Sequence, residues 1–212
     1  MSRRLPVYLL LDTSGSMSGE PIEQVKNGVQ TLVSALRQDP YALETAWLSV
    51  ITFGSSAAVA VPLTELTAFQ TPALDARGTT SLGAALKLVS ECAGRELTKT
   101  TPVIKGDWKP MVFIMTDGVP TDDWKKGFET FRQTKWGIVV GCSMDNGDTA
   151  VLKEIAGSVV ALNTSDSASI KAFFKWITVS VSASSKSVES AGKEVQGLNE
   201  LPPPPPEIKV VT

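Results

Sequence analysis

The chain has 212 residues, 42% of them hydrophobic and 20% charged, with a formal net charge of -2. That is enough for one well-cored soluble domain with some chain left over, and it offers no basic field to draw in nucleic acid. Histidine is absent and only two cysteines occur, which excludes Ser-His-Asp triads, histidine acid–base work, histidine or four-thiolate metal sites and a disulfide framework.

The N-terminus, MSRRLPVYLLLDTSG, carries two arginines and an apolar run. That run is too short for a secretory signal and ends in Asp12, so a buried first strand over residues 5–11 is expected. Glu20-Pro21 opens a helix, because proline suits the first helical position. Ile22, Val25, Val29, Leu32, Val33 and Leu36 follow at helical spacing, and Asp39-Pro40 is expected to end it. Residues 45–53 and 57–63 read as two strands joined at Gly54-Ser55-Ser56, with Pro62 confining the second to an edge.

Residues 81–97 give a helix with Leu82, Ala85, Leu86, Val89 and Cys92 on one stripe. Residues 99–110 are a loop punctuated by Pro and Gly. A second apolar strand that ends in an acid spans 111–118. Thr121 is expected to cap a helix carrying Trp124, Phe128 and Phe131. A strand at 136–143, a helix at 148–156, a strand at 158–163 and a last helix from Ser167 to about Ser184 complete the series. Strands alternating with helices predict an α/β doubly wound, mostly parallel sheet with one antiparallel edge strand and helices on both faces. No apolar run approaches the roughly 20 residues of a membrane span. Residues 186–212 form a proline-rich tail or linker, with five consecutive prolines from Pro202 to Pro206, for which polyproline II is expected. The residues after it, IKVVT, read as a strand in need of a partner.

Three segments fall where loops leave the carboxyl ends of strands: Asp12-Thr13-Ser14-Gly15-Ser16, residues 76–86 (ARGTTSLGAAL), and Thr116-Asp117-Gly118. In doubly wound sheets that edge binds ligands. An acid followed by two hydroxyls, with no adjacent base, suits holding a hard cation better than attacking a substrate. With no histidine to help, the cation must be held by oxygen, which points to Mg²⁺, with Mn²⁺ or Ca²⁺ possible. Serine and threonine hydroxyls ligate directly, and carboxylates do so directly or through water. A strand-end aspartate is also the phosphoryl acceptor of haloacid-dehalogenase-type phosphohydrolases. That chemistry needs a second Asp two residues on, where this chain has Ser14. Neither a P-loop nor a G-x-G-x-x-G fingerprint is present.

These same residues resemble the von Willebrand factor A domain and its metal-ion-dependent adhesion site. Asp12, Ser14 and Ser16 match the DxSxS motif, Thr80 matches the family's threonine, three residues before Gly83, and Asp117 matches its second acid. Blocks such as VYLLLDTSGSMSGEPIE, GTTSLGAALKLV and KGDWKPMVFIMTDGVPTDDW are similar to the bacterial TerY type, linked to tellurite resistance. The resemblance covers about residues 5–180. It implies a domain at 1–185 that is not an enzyme: a cytoplasmic, metal-dependent protein-interaction module. A partner's Asp, Glu or phosphate would complete the metal's coordination. The implied partners are a Ser/Thr kinase-like protein and a PP2C-type phosphatase, with no nucleic acid and no membrane. A metal-independent scaffold is the competing reading. Loops 54–57, 76–80, 99–110 and 118–124 are expected to supply specificity. Trp108 and Trp124 are expected either to anchor a partner or to pack over strand ends. Asp122 and Asp123 are expected to serve the helix dipole in a first turn.

Overall fold

The computed structural model describes residues 3–144, 149–163, 167–194 and 197–211. Among the described residues seven strands form one sheet: β1 (Leu5–Asp12), β2 (Ala46–Phe53), β3 (Ala57–Glu65), β4 (Met111–Thr116), β5 (Ile138–Met144), β6 (Val159–Leu162) and β7 (Lys209–Val211). Their spatial order is β3-β2-β1-β4-β5-β6-β7. The five strands from β2 to β6 are parallel, and β3 and β7 are antiparallel edges. The expected doubly wound sheet forms, and β7 adds a second antiparallel edge to the one that Pro62 predicts.

β1 explains the layering. All eight of its residues are buried, and successive side chains point to opposite faces. Leu5, Val7, Leu9 and Leu11 join a core with α1 (Glu20–Leu36), α2 (Pro40–Thr45) and α6 (Ser167–Lys186). Tyr8 and Leu10 join the opposite core with α3 (Leu82–Glu96), α4 (Trp124–Phe131) and α5 (Thr149–Ala156). Helices α1 and α6 cross so closely that a Cβ on Gly28 would lie 2.1 Å from the Phe174 ring. No helix among the described residues is long and apolar enough to cross a membrane.

Several sequence expectations need correction. Asp39-Pro40 ends α1 but also starts α2, because the Asp39 carboxylate accepts from the Tyr41 and Ala42 amides. Thr121 does not cap α4; Asp123 does, accepting from the Lys126 amide. The 99–110 loop does not border the carboxyl ends of the strands. A crossover into a parallel strand must return to its amino end, and here the Trp108 amide donates to the Arg4 carbonyl at 2.9 Å, just before β1. Trp108 is held there by the Arg3 guanidinium, 3.5 Å over its ring. The Arg4–Asp107 ion pair at 2.5 Å fastens the same loop.

Beyond α6 a π-helical turn (Ser187–Ala191) leads the chain back to the sheet. Glu194 accepts from the Lys109 amide and pairs with its ammonium at 3.1 Å. Leu201 and Ile208 are buried in the first core. The Trp176 indole donates to the Pro202 carbonyl at 2.8 Å, and β7 pairs with β6.

Candidate metal centre

β1 and β4 are neighbours, so the acids that end or follow them arrive at one edge. Asp12 is the last residue of β1 and fully buried. Its Oδ1 accepts from the Ser14 amide at 2.7 Å, and its Oδ2 accepts from Thr116 Oγ1 at 2.5 Å. The chain then makes a single 3₁₀ turn, Gly15–Met17, whose Met17 is a buried plug. That turn brings Ser14 Oγ and Ser16 Oγ to 3.0 Å from each other. Ser16 Oγ donates in turn to Asp117 Oδ1 at 2.8 Å. A continuous run of side-chain oxygens thus links the first and third segments.

The middle segment docks by backbone. The Gly15 amide donates to the Gly78 carbonyl at 2.9 Å, the Arg77 amide to the Thr13 carbonyl at 2.7 Å, and the Ser81 amide to the Gly54 carbonyl at 2.8 Å. Gly78 has φ +79°, a left-handed backbone that side chains resist, and a Cβ there would collide with Ser55 Oγ at 2.1 Å. This turn decides which threonine faces inward. Thr79 is exposed, its amide donating to Ser55 Oγ. Thr80 is buried. A Cβ on Gly118 would lie 3.2 Å from Thr80 Oγ1, so that hydroxyl rests against the residue after Asp117.

Asp12, Ser14, Ser16, Thr80 and Asp117 therefore gather at one point of the sheet edge. The geometry adds two residues that the sequence reading placed elsewhere. Thr121 Oγ1 accepts from the Thr80 amide and donates to the Thr80 carbonyl, which also accepts from the Thr121 amide. Asp122 accepts from the Gly83 and Ala84 amides at the start of α3. It serves the dipole of a helix, as expected, but of α3 and not of its own helix. The only signal in the sequence was its place in TDDW, close behind Asp117. Trp124 is half-buried and packs against the second core.

Burial pushes the Asp12 carboxyl up. The bonds from Thr116 and Ser14 pull the other way, Asp117 adds its repulsion, and the net shift is upward. Among the described residues no ion pair involves Asp12 or Asp117. A buried carboxylate with a second carboxylate nearby and no cationic side chain calls for a positive charge. Among the described residues no group of three or more His, Cys, Asp or Glu side chains could hold a metal. The donors here are two carboxylates and three hydroxyls, an all-oxygen set that fits a hard divalent cation.

The model of the von Willebrand factor type A domain matches residues 7–176. No curated protein matches the sequence. Among solved structures, a von Willebrand factor type A protein from Catenulispora acidiphila aligns with a TM-score of 0.66 at 14% identity, over 85% of this chain and 43% of that one. Proximal thread matrix protein 1 from the mussel byssus, solved with a zinc-occupied MIDAS motif, aligns with a TM-score of 0.62 at 18% identity, over 85% of this chain and 48% of that one. The pilus adhesin SpaC from Lactobacillus rhamnosus GG, in an open conformation, aligns with a TM-score of 0.66 at 12% identity, over 85% of this chain and 30% of that one. The chain thus spans less than half the length of each of these proteins.

Proposed function

The chain belongs to the von Willebrand factor type A domain family, and from that premise we propose that it is a metal-dependent protein-interaction module and not an enzyme. Asp12, Ser14, Ser16, Thr80 and Asp117 hold one divalent ion, Mg²⁺ in the first instance, with Mn²⁺ or Ca²⁺ able to replace it. A bound divalent ion offers an electrophilic point to an incoming carboxylate or phosphate oxygen. The observation that carries this reading is the run of oxygens from Ser14 through Ser16 to Asp117, which converges from two loops beside the buried Asp12.

The protein's own residues divide the work. Ser14, Ser16 and Thr80 contribute neutral hydroxyls, which leave the ion more electrophilic than a cage of carboxylates would. Asp12, held by Ser14 and Thr116, supplies fixed negative charge from below. Asp117, half-buried at the rim, supplies the second negative charge where a partner arrives. Histidine is absent and no nucleophile–base pair is found among these residues, so the site binds and does not turn over substrate. The surrounding loops at 54–57, 76–80 and 118–124 decide which partner fits.

The resemblance of its sequence blocks to the TerY type supports a role in a tellurite-resistance or stress-response system of the cytoplasm. A Ser/Thr kinase-like protein or a PP2C-type phosphatase is its partner, engaged through an Asp, a Glu or a phosphate. The interaction domain is residues 1–185, and residues 186–212 are an appended proline-rich tail, of which Leu201, Ile208 and β7 pack against it. Calorimetric titration of metal-stripped protein with Mg²⁺ and Mn²⁺ tests the core of this reading. Saturable binding, lost in Asp117→Ala, is expected. Saturable binding that survives in Asp117→Ala would overturn the site. Partner capture that ignores chelator would favour a metal-independent scaffold.

A further inference from the structure

Thr80 and Asp117 come from two loops on different strands, and nothing in the chain's connectivity fixes how far apart they stand. Thr80 leads into α3. Asp117 leads through a short loop into α4. Residues 121–122 join the two. The Thr121 amide donates to the Thr80 carbonyl at 2.9 Å, and its hydroxyl bonds both the Thr80 amide at 3.1 Å and the Thr80 carbonyl at 3.2 Å. Asp122 straddles the first turn of α3, taking the Gly83 amide on Oδ1 at 3.0 Å and the Ala84 amide on Oδ2 at 2.9 Å. Behind these bonds α3 and α4 meet through two glycines: a Cβ on Gly127 would lie 2.0 Å from the Gly83 carbonyl oxygen. The helices meet there with no room for a side chain between them, and the bonds of residues 121–122 tie the loop before α4 to the start of α3.

We infer that Thr121 and Asp122 are positioning residues, a clamp that sets the distance between the Thr80 hydroxyl and the Asp117 carboxylate and so sets metal affinity. The inference rests on the metal reading above. Neither residue is itself a ligand. Thr121 is exposed and is spent on the Thr80 backbone. Both oxygens of Asp122 are occupied by helix amides. A carboxylate is the one side chain here that can accept from two adjacent amides with two equivalent oxygens and also meet the positive end of a helix. A threonine hydroxyl can accept from the N–H of one residue and donate to the C=O of the same residue at once. The pair is chemically matched to the segment it holds.

A purely structural cap would lower stability and leave affinity alone, so the test compares the two. Asp39→Ala is the control. It removes the cap of α2, where the Asp39 Oδ1 accepts two amides, on a helix remote from the site. The probe is Mn²⁺, followed by titration calorimetry, alongside melting curves of chelated protein. Thr121→Val and Asp122→Asn are expected to weaken Mn²⁺ by about 10-fold or more, with Thr121→Ser staying close to wild type. Asp39→Ala should lower the melting temperature with Mn²⁺ binding unchanged. Without metal, hydrogen exchange at the Thr80, Gly83 and Ala84 amides should quicken in the two clamp variants. Clamp variants that lose stability as Asp39→Ala does, yet bind Mn²⁺ like wild type, would overturn the assignment. Wild-type protein that takes up no Mn²⁺ would remove the metal reading itself, and this inference with it. The two failures are therefore told apart by the wild-type titration.

Discussion

Thr116 Oγ1 donates to Asp12 Oδ2 at 2.5 Å across the β1–β4 pair, both residues being almost fully buried. One strand therefore ends in the acid and its neighbour ends in the donor that satisfies it. Replacing Thr116 by Val keeps the shape and leaves a buried carboxylate oxygen without its partner. The expected cost is about 1–3 kcal/mol of unfolding free energy in chelated protein. Thr116→Ser, which restores the hydroxyl, should recover most of it. Urea unfolding of the three proteins decides the matter.

The α1–α6 crossing gives a second prediction. A methyl group at position 28 has no room, since Gly28 already faces the Phe174 ring and a Cβ would meet three of its atoms within 2.6 Å. Gly→Ala inside a helix would ordinarily stabilise. Here overpacking should dominate, with a net loss of about 1–3 kcal/mol. A smaller residue at 174 should relieve the clash. If the double variant Gly28→Ala, Phe174→Leu shows the sum of the two separate losses, the contact is not what limits that position.

Glu194 gives a pH dependence. Burial pushes its carboxyl up, but the Lys109 amide and ammonium more than offset that, and the net shift is downward. A carboxyl lowered in the folded state stabilises it fully above the ordinary glutamate range. The contribution is lost as pH falls through the lowered folded value. The pair is half-buried and still in reach of solvent, so its worth is about 0.2–1 kcal/mol at neutral pH. Unfolding curves of wild type and Glu194→Gln should therefore differ at pH 7 and converge toward pH 3. A gap that persists at pH 3 would mean the residue acts by packing.

Much of this was legible in the chain. β1, β4 and β5 are buried on both faces and read as unbroken apolar runs. The Asp12–Ser16 segment is short enough that its geometry follows from one turn. What the sequence hid depends on contacts between distant segments. Thr121 looked like a helix cap because a threonine before an amphipathic stretch usually is one, and only the fold shows that Asp123 takes that role. Asp122 serves a helix some forty positions earlier in the chain, which no local pattern encodes. The proline run reads as a linker because its own composition offers little to bury. Its partner, Trp176, is recognisable only once α6 lies beside it. The misplacement of the 99–110 loop was avoidable, since the topology of parallel strands alone sends it to the far end.

Cys92 and Cys142 supply a test of core integrity. Burial raises both thiols above their ordinary range, with Glu96 adding to the effect at Cys92. Thiolate, the reactive form, is thus scarce at either position. Neither should react with an aromatic disulfide reagent at pH 8 over the time in which a free thiol reacts completely, and both should react in denaturant. Fast labelling of one equivalent in native protein would reveal an opening of the layer that holds that cysteine.

The alternation along β1 has one more consequence. Met17, on the loop that follows Asp12, is buried in the core shared with α1 and α6, whereas Leu82, just beyond Thr80, is buried in the core shared with α3 and α4. The oxygen cluster is therefore a keystone, wedged where the two halves of the molecule meet. An ion seated there would lean on both at once. Occupancy should be felt as slower amide exchange on both sides of the sheet together, and a chelator should loosen the whole protein as a single cooperative unit.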